Sequence, residues 1–136
     1  MQREQAMKYL VGYDGGAAAK RALALACQQA KRTDGLVYVV ASMEGGPKEE
    51  LKDILAVEAE LQWAKDMLLK EKIQCETIQL ARGLSPGEDL VKFAEENAID
   101  RIYLGIEKKS RTQKLLLGST AQYVILKAAC PVITTK

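Results

Sequence analysis

An α/β domain, built on a five-stranded parallel sheet with helices on both faces in three layers, is the architecture this chain predicts. Three observations lead there. Short apolar runs alternate strictly with helical segments, as they do when parallel strands are joined by crossover helices. The second run, GLVYVVAS, is continuously apolar, as in a strand covered on both sides. No linker, repeat or low-complexity stretch divides the 136 residues, so residues 1–136 form a single domain.

The elements follow in order. KYLVGYD is a short first strand, and AAAKRALALACQQAKR after it is rich in the strong helix formers alanine and leucine. GLVYVVAS is the second strand, closed by the turn EGGP. Pro47 then precedes a long helix with Leu51, Ile54, Leu55, Leu61, Ala64 and Leu68 at three- and four-residue spacings, the pattern of one apolar face. IQCETIQLA carries polar residues on both faces and suits an edge strand. SPGEDLVKFAEENA opens a helix, with Ser85 to cap, Pro86 at the first position and Glu88 completing a capping box. RIYLG is the fourth strand. STAQYVILKAAC is the fourth helix, with a second Ser-x-x-Gln box from Ser119 to Gln122, and Pro131 stops it before the last strand, VITT.

Composition narrows the function. Hydrophobic residues make up 48% and charged residues 28%, the mix of an ordinary globular domain. A net charge of +2 argues against nucleic acid or an acidic membrane as the main partner, so any electrostatic function is local. Three scattered cysteines, Cys27, Cys75 and Cys130, read as reduced thiols in a cytoplasmic protein. The start, MQREQAMKYL, lacks the apolar run of a signal peptide, and no stretch approaches the ~18 apolar residues of a membrane span. With no histidine at all, the commonest general base and zinc ligand are missing, so no metal site is expected. Trp63, Met43, Met67, Cys27 and Cys130 read as packing residues, and Cys75 as a residue of the edge strand.

Two segments carry the chemistry expected beyond the carboxyl ends of the strands, where doubly wound sheets bind ligands. GYDGG follows the first strand. Its Asp14 offers a carboxylate to a ribose, or simply caps the next helix, while Gly15 and Gly16 allow a tight turn. LGIEKKSRTQKLLLGST runs from the end of the fourth strand to the start of the fourth helix. Gly105 permits close approach of a ring or sugar. Gly118 and Ser119 open a helix whose first amides, with the helix dipole, suit an anion, and Lys108, Lys109, Arg111 and Lys114 lie between. A solvated basic loop with Ser119 as a plain cap is the other reading. Neither a Walker A sequence nor GxGxxG is present.

Gly105, the basic loop and LLLGSTAQYVILKAACPVITTK closely resemble the C-terminal signature of the universal stress protein family. Its nucleotide-binding members carry G-x2-G-x9-G-(S/T), with Gly105 and Gly118-Ser119 at the matching positions. KYLVGYDGGAAAKRALALA and ARGLSPGEDLVKFAEENAIDRIYLG are similar to other parts of the family, so the resemblance covers nearly the whole chain. Two positions depart from it. Lys108 stands at the middle glycine, where it crowds the phosphate path or supplies charge in place of backbone contacts, and Gly16 replaces the serine of an Asp-Gly-Ser turn.

The resemblance implies a Rossmann-like sheet of order 3-2-1-4-5, with ATP or AMP, with or without Mg²⁺, between the first and fourth strands. It places Asp14 near the ribose with Tyr13 beside it, Val40 at the adenine, and Gly105 under the sugar and α-phosphate. Gly118, Ser119 and Thr120, with Lys108, would hold the phosphates. The expected function is an adenine-nucleotide-binding stress-response module, or alternatively a nucleotide-free protein-interaction module of the same fold. An enzyme is not expected, beyond slow ATP hydrolysis. CPVITTK reads as a short apolar sheet edge, and both that edge and the resemblance imply a homodimer through the C-terminal strand, with no nucleic-acid partner and no membrane insertion.

Overall fold

The computed structural model describes residues 6–45, 50–107 and 117–136. Its elements are β1 (Lys8–Gly12), α1 (Ala17–Thr33), β2 (Leu36–Ser42), α2 (Leu51–Lys70), β3 (Cys75–Leu80), α3 (Pro86–Glu96), β4 (Arg101–Gly105), α4 (Ser119–Lys127) and β5 (Val132–Thr135). They form one parallel sheet of order β3-β2-β1-β4-β5, the order expected. The chain runs outward from β1 through β2 to β3, then returns to β4 on the other side. The sheet therefore has its switch point between β1 and β4. There Gly12 stands opposite Val40 on one side and Leu104 on the other.

Successive side chains of a strand point to opposite faces, and the burial pattern divides accordingly. Tyr9 and Val11 of β1 join Val37 and Val39 of β2 in a core covered by α1 and α2. Leu10 and Val40 join Ile102 and Leu104 of β4 in a second core, covered by α3 and α4. Edge-to-face ring pairs lie in each layer, Tyr9 with Tyr103 at 5.9 Å and Tyr38 with Phe93 at 5.5 Å. Fully burying a Leu or Ile such as Leu10 or Ile102 contributes roughly 1.5–3 kcal/mol, which makes these central strands the stable part of the sheet.

Helix α1 meets the sheet through alanines, with Ala18, Ala19, Ala22, Ala26 and Ala30 all buried. Such small side chains let its backbone come very near β4. A Cβ added at Gly105 would stand 2.3 Å from the carbonyl carbon of Ala18, so that glycine is required by helix packing. Helix α3 starts as its sequence indicates: Pro86 is its first residue, and Glu88 Oε1 accepts from the Ser85 hydroxyl at 2.6 Å and the Ser85 amide at 3.4 Å.

Four expectations are corrected. In α2 only Leu61, Ala64 and Leu68 are buried, while Leu51 and Leu55 are exposed. A helix of 20 residues spans about 30 Å, and the six-residue β3 beneath it about 20 Å, so its first turns outrun the sheet. Trp63 is not a packing residue: it is 45% exposed, with the Lys20 ammonium 4.6 Å from its ring centroid. In α4 the cap is Gly118, one residue before the expected Ser119, and no side chain among the described residues caps the helix. Gln122 accordingly sits one position too far along for a capping box, and its amide donates to the Leu117 carbonyl at 2.7 Å. The expected stop at Pro131 is anticipated too, since the helix ends at Lys127.

Candidate functional site

The carboxyl ends of β1, β2 and β4 open into a cavity of about 280 Å³, near the lower end of the size range of small-molecule sites. Gly12 lines it, and its missing side chain makes room for two leucines of the lining: a Cβ there would come 2.6 Å from Leu104 and 2.9 Å from Leu90. One end of the cavity is formed by Val40 and Ser42 of β2 with Pro86 and Leu90 of α3. The other is formed by Gly105 and Glu107 with Thr120 and Ala121 of α4. Tyr13 and Asp14 stand between them on the loop from β1 to α1.

That loop turns sharply because Gly15 adopts φ +82°, a conformation glycine takes at no steric cost. Asp14 Oδ1 accepts the Gly16 amide at 2.9 Å, holding the turn closed just ahead of the helix, whose cap is Gly16. The absent side chain at Gly16 also matters, since a Cβ there would lie 3.1 Å from Asp14 Oδ1 and 3.2 Å from Glu107 Oε1. Both carboxylates thus come close to Gly16, and they are the only charged side chains lining the cavity among the described residues. Carboxylates are pure acceptors, so this middle region suits a ligand rich in hydroxyl donors, such as a sugar.

Tyr13 is 4% exposed, and its hydroxyl is buried without a well-formed hydrogen bond among the described residues. Burial, and after it the negative charge of Glu60 and Asp14, pushes the phenol up to about 12. It therefore stays protonated throughout the physiological range. Its backbone amide donates to the Val40 carbonyl at 2.9 Å and ties this loop to the end of β2.

At the base of the Ser42 end lies a charged group that sequence reading passed over. Asp89, in the first turn of α3, is 0% exposed. Its Oδ1 accepts from Arg82 Nε at 2.7 Å, and its Oδ2 accepts from Ser42 Oγ at 2.7 Å. Arg82 Nη1 also reaches Glu96 Oε1 at 2.7 Å. A buried charge is tolerated only when paired in this manner.

Of the residues singled out from sequence, Tyr13, Asp14, Val40, Gly105 and Thr120 line one cavity. Gly118 and Ser119 do not line it, but precede Thr120 at the exposed start of α4. A Cβ at Gly118 would meet nothing within 4 Å, so no packing requirement accounts for that glycine among the described residues. Lys108, with Lys109, Arg111 and Lys114, lies outside the described residues, as does Pro47. Ser42, Pro86, Leu90 and Glu107 were missed. Ser42 was within reach of the sequence, because it stands two residues after Val40 and so shares its face of the strand.

Fold and cleft together define a doubly wound α/β domain with a crevice at its switch point. The chain belongs to the universal stress protein family, whose model matches residues 6–136. A universal stress protein from Archaeoglobus fulgidus has a similar solved structure, with a TM-score of 0.89 and 40% identity over 96% of this chain and 98% of that one. Another from the same organism, solved in complex with dAMP, has a TM-score of 0.82 and 37% identity over 96% of this chain and 98% of its own. A universal stress protein of Thermus aquaticus is 32% identical over 93% of this chain and 96% of its own length. No helix among the described residues is long and apolar enough to cross a membrane.

Proposed function

We propose that this chain binds an adenine nucleotide, AMP or ATP, in the cleft between β1 and β4, and acts as a homodimeric stress-response module in the cytoplasm. One observation carries the reading: a single cavity brings together apolar residues of β2, β4 and α3, the carboxylates of Asp14 and Glu107, and the first turn of α4, so that it offers three chemically distinct regions. Base, sugar and phosphate each match one of these regions. The relative solved with dAMP, 37% identical over nearly its whole length, supports the same ligand class. Dimerisation is supported by β5, a four-residue strand at the sheet edge, and by the exposed apolar side chains of Ile125 and Leu126 on the neighbouring α4. Binding rather than catalysis is proposed, since a chain without histidine offers the phosphates no better base than Asp14 or Glu107.

The test is thermal denaturation of the purified protein with AMP, ATP and ATP plus Mg²⁺, alongside a scan of its acid-released contents for adenine absorbance. A ligand at 100 times its Kd should stabilise the fold by about 2.7 kcal/mol. No shift with any of them, and no co-purified adenine, overturns the proposal. Light scattering should give twice the monomer mass, and a monomer at micromolar concentration overturns the dimer. One observation favours the nucleotide-free alternative. Because Gly105 is required by α1, its presence is not by itself a mark of a ligand. Replacing Lys108 with Gly separates the two: a large gain in ATP affinity would mean the natural chain works without nucleotide.

A further inference from the structure

Asp89 makes Ser42 an obligate hydrogen-bond acceptor toward the cleft. Ser42 has a single hydroxyl proton, and a carboxylate bonded to a guanidinium has none to give. The 2.7 Å bond from Ser42 Oγ to Asp89 Oδ2 therefore commits that proton away from the cavity. Asp89 cannot turn aside, because it is wholly buried and its other oxygen is held by Arg82. Only lone pairs of Ser42 remain for a ligand at this end of the cavity, which Ser42 lines beside Pro86 and Leu90.

We infer that Ser42, positioned by the buried Asp89–Arg82 pair, selects the base: it favours a six-membered ring edge bearing an amino group, as in adenine, over one bearing a carbonyl, as in hypoxanthine or guanine. This rests on the nucleotide reading above and deepens it. An exocyclic amino group donates to the serine lone pair. A carbonyl at the same place opposes two acceptors in a partly dry pocket, where an unmade bond costs most. Asp89 acts through Ser42 and does not itself line the cavity, which makes it a positioning residue.

The two nucleotides AMP and IMP differ at this edge, so their affinities, measured by calorimetry on the full chain, read the device directly. Wild type should prefer AMP by at least about tenfold, as expected where a site bonds a ligand N–H. Ser42→Ala should bring the two within about threefold, through weaker AMP and tighter IMP binding. Asp89→Asn is the sharper variant. Arg82 donates to Oδ1, so the asparagine carbonyl should keep that place and its amide should fall where Oδ2 was. That amide would donate to Ser42, freeing the hydroxyl proton to point into the cavity, and the preference should invert toward IMP. A role in stability alone would weaken both nucleotides together without inverting their order, and thermal melts of each variant register folding separately.

Equal binding of AMP and IMP by wild type overturns this inference while leaving nucleotide binding intact. An AMP preference unchanged in both variants also overturns it. Binding of neither nucleotide overturns both readings at once.

Discussion

At one end of the cleft Ser42 is tied to a wholly buried carboxylate, which is tied in turn to Arg82 and through it to Glu96, whereas just beyond the other end Gly118 and Ser119 are exposed, with no side-chain cap among the described residues. The first end has its hydrogen bonds assigned within the protein before any ligand arrives. The second leaves its helix amides to solvent or to an anion. A held polar group gives selectivity because it cannot adapt to the wrong partner. Free amides beside a helix dipole attract negative charge with little regard to what carries it. If the cleft holds a nucleotide as proposed, specificity and charge binding fall to opposite ends, and each can be disturbed alone.

The largest effect should come from Asp89→Ala. It leaves the partly buried Arg82 with Glu96 and the backbone carbonyl of residue 89 but without its buried carboxylate, removes the acceptor of Ser42 and opens a void beside α3. Breaking a buried pair by deleting one partner costs about 3–5 kcal/mol, read as a lowered urea midpoint. A loss below about 1 kcal/mol would mean the Ser42 end is not locked, and the contrast between the two ends would disappear.

Next comes Gly105→Ala, at the end of β4, where the cavity lining meets α1. The new methyl would stand 2.3 Å from one backbone atom of Ala18 and 2.4 Å from another. Backbone cannot rotate aside as a side chain can, so α1 must shift, at a cost of about 2–3 kcal/mol by denaturant unfolding. A neutral result would show that α1 moves freely over β4, and that the glycine is present for a ligand after all.

These two residues mark where sequence reading succeeds and where it stops. Strict alternation of apolar runs and helices, together with the polar β3 and the apolar ending, is enough for the sheet and its two edges. Local chemistry also locates the start of α3, because Ser85, Pro86 and Glu88 act within one turn. The start of α4 is misplaced by one residue because Gly118 and Ser119 are both acceptable caps, and only the backbone decides between them. Trp63 and the front of α2 escape because helical spacing tells which residues share a face, not how far the neighbouring sheet extends. Gly105 is found, but its close packing against Ala18 of α1 is not legible from the sequence. Ser42 and Asp89 are missed because they lie 47 residues apart, and neither is unusual until the fold joins them. Tyr13, Asp14, Val40, Gly105 and Thr120 do converge as expected, since each stands at or just past the end of a strand, or at a helix start, where a doubly wound sheet gathers its loops.

A smaller effect, dependent on pH, tests the middle of the cleft. The Tyr13 phenol ionises near 10.0 when unfolded and at about 12 in the fold, held up by burial first and then by Glu60 and Asp14. Between those values the unfolded chain has lost this proton and the folded one has kept it. Stability must then fall as pH rises, by on the order of 1–2 kcal/mol at pH 12 relative to a variant without the group. Tyr13→Phe removes the titration and a buried hydroxyl that lacks a well-formed bond among the described residues. It should be close to neutral at pH 7 and more stable than wild type by a growing margin above pH 10. Parallel stability curves for the two proteins across that range would show the phenol to be solvated in the native state.

The smallest effect on the fold, and the one that most sharpens the contrast, is Gly118→Ala. Its φ of −65° suits any residue, and a methyl there meets nothing within 4 Å among the described residues. Alanine is a slightly poorer cap than glycine, so the loss should stay below about 1 kcal/mol. If the α4 amides hold phosphate, the same methyl lies where the anion must approach. Affinity for ATP should then fall while affinity for adenosine, which carries no phosphate, stays as it was. An equal loss for both ligands would place the change in the cleft as a whole. Unchanged affinity for both would leave α4 no part in binding charge, and would reduce the open end to a solvated helix start.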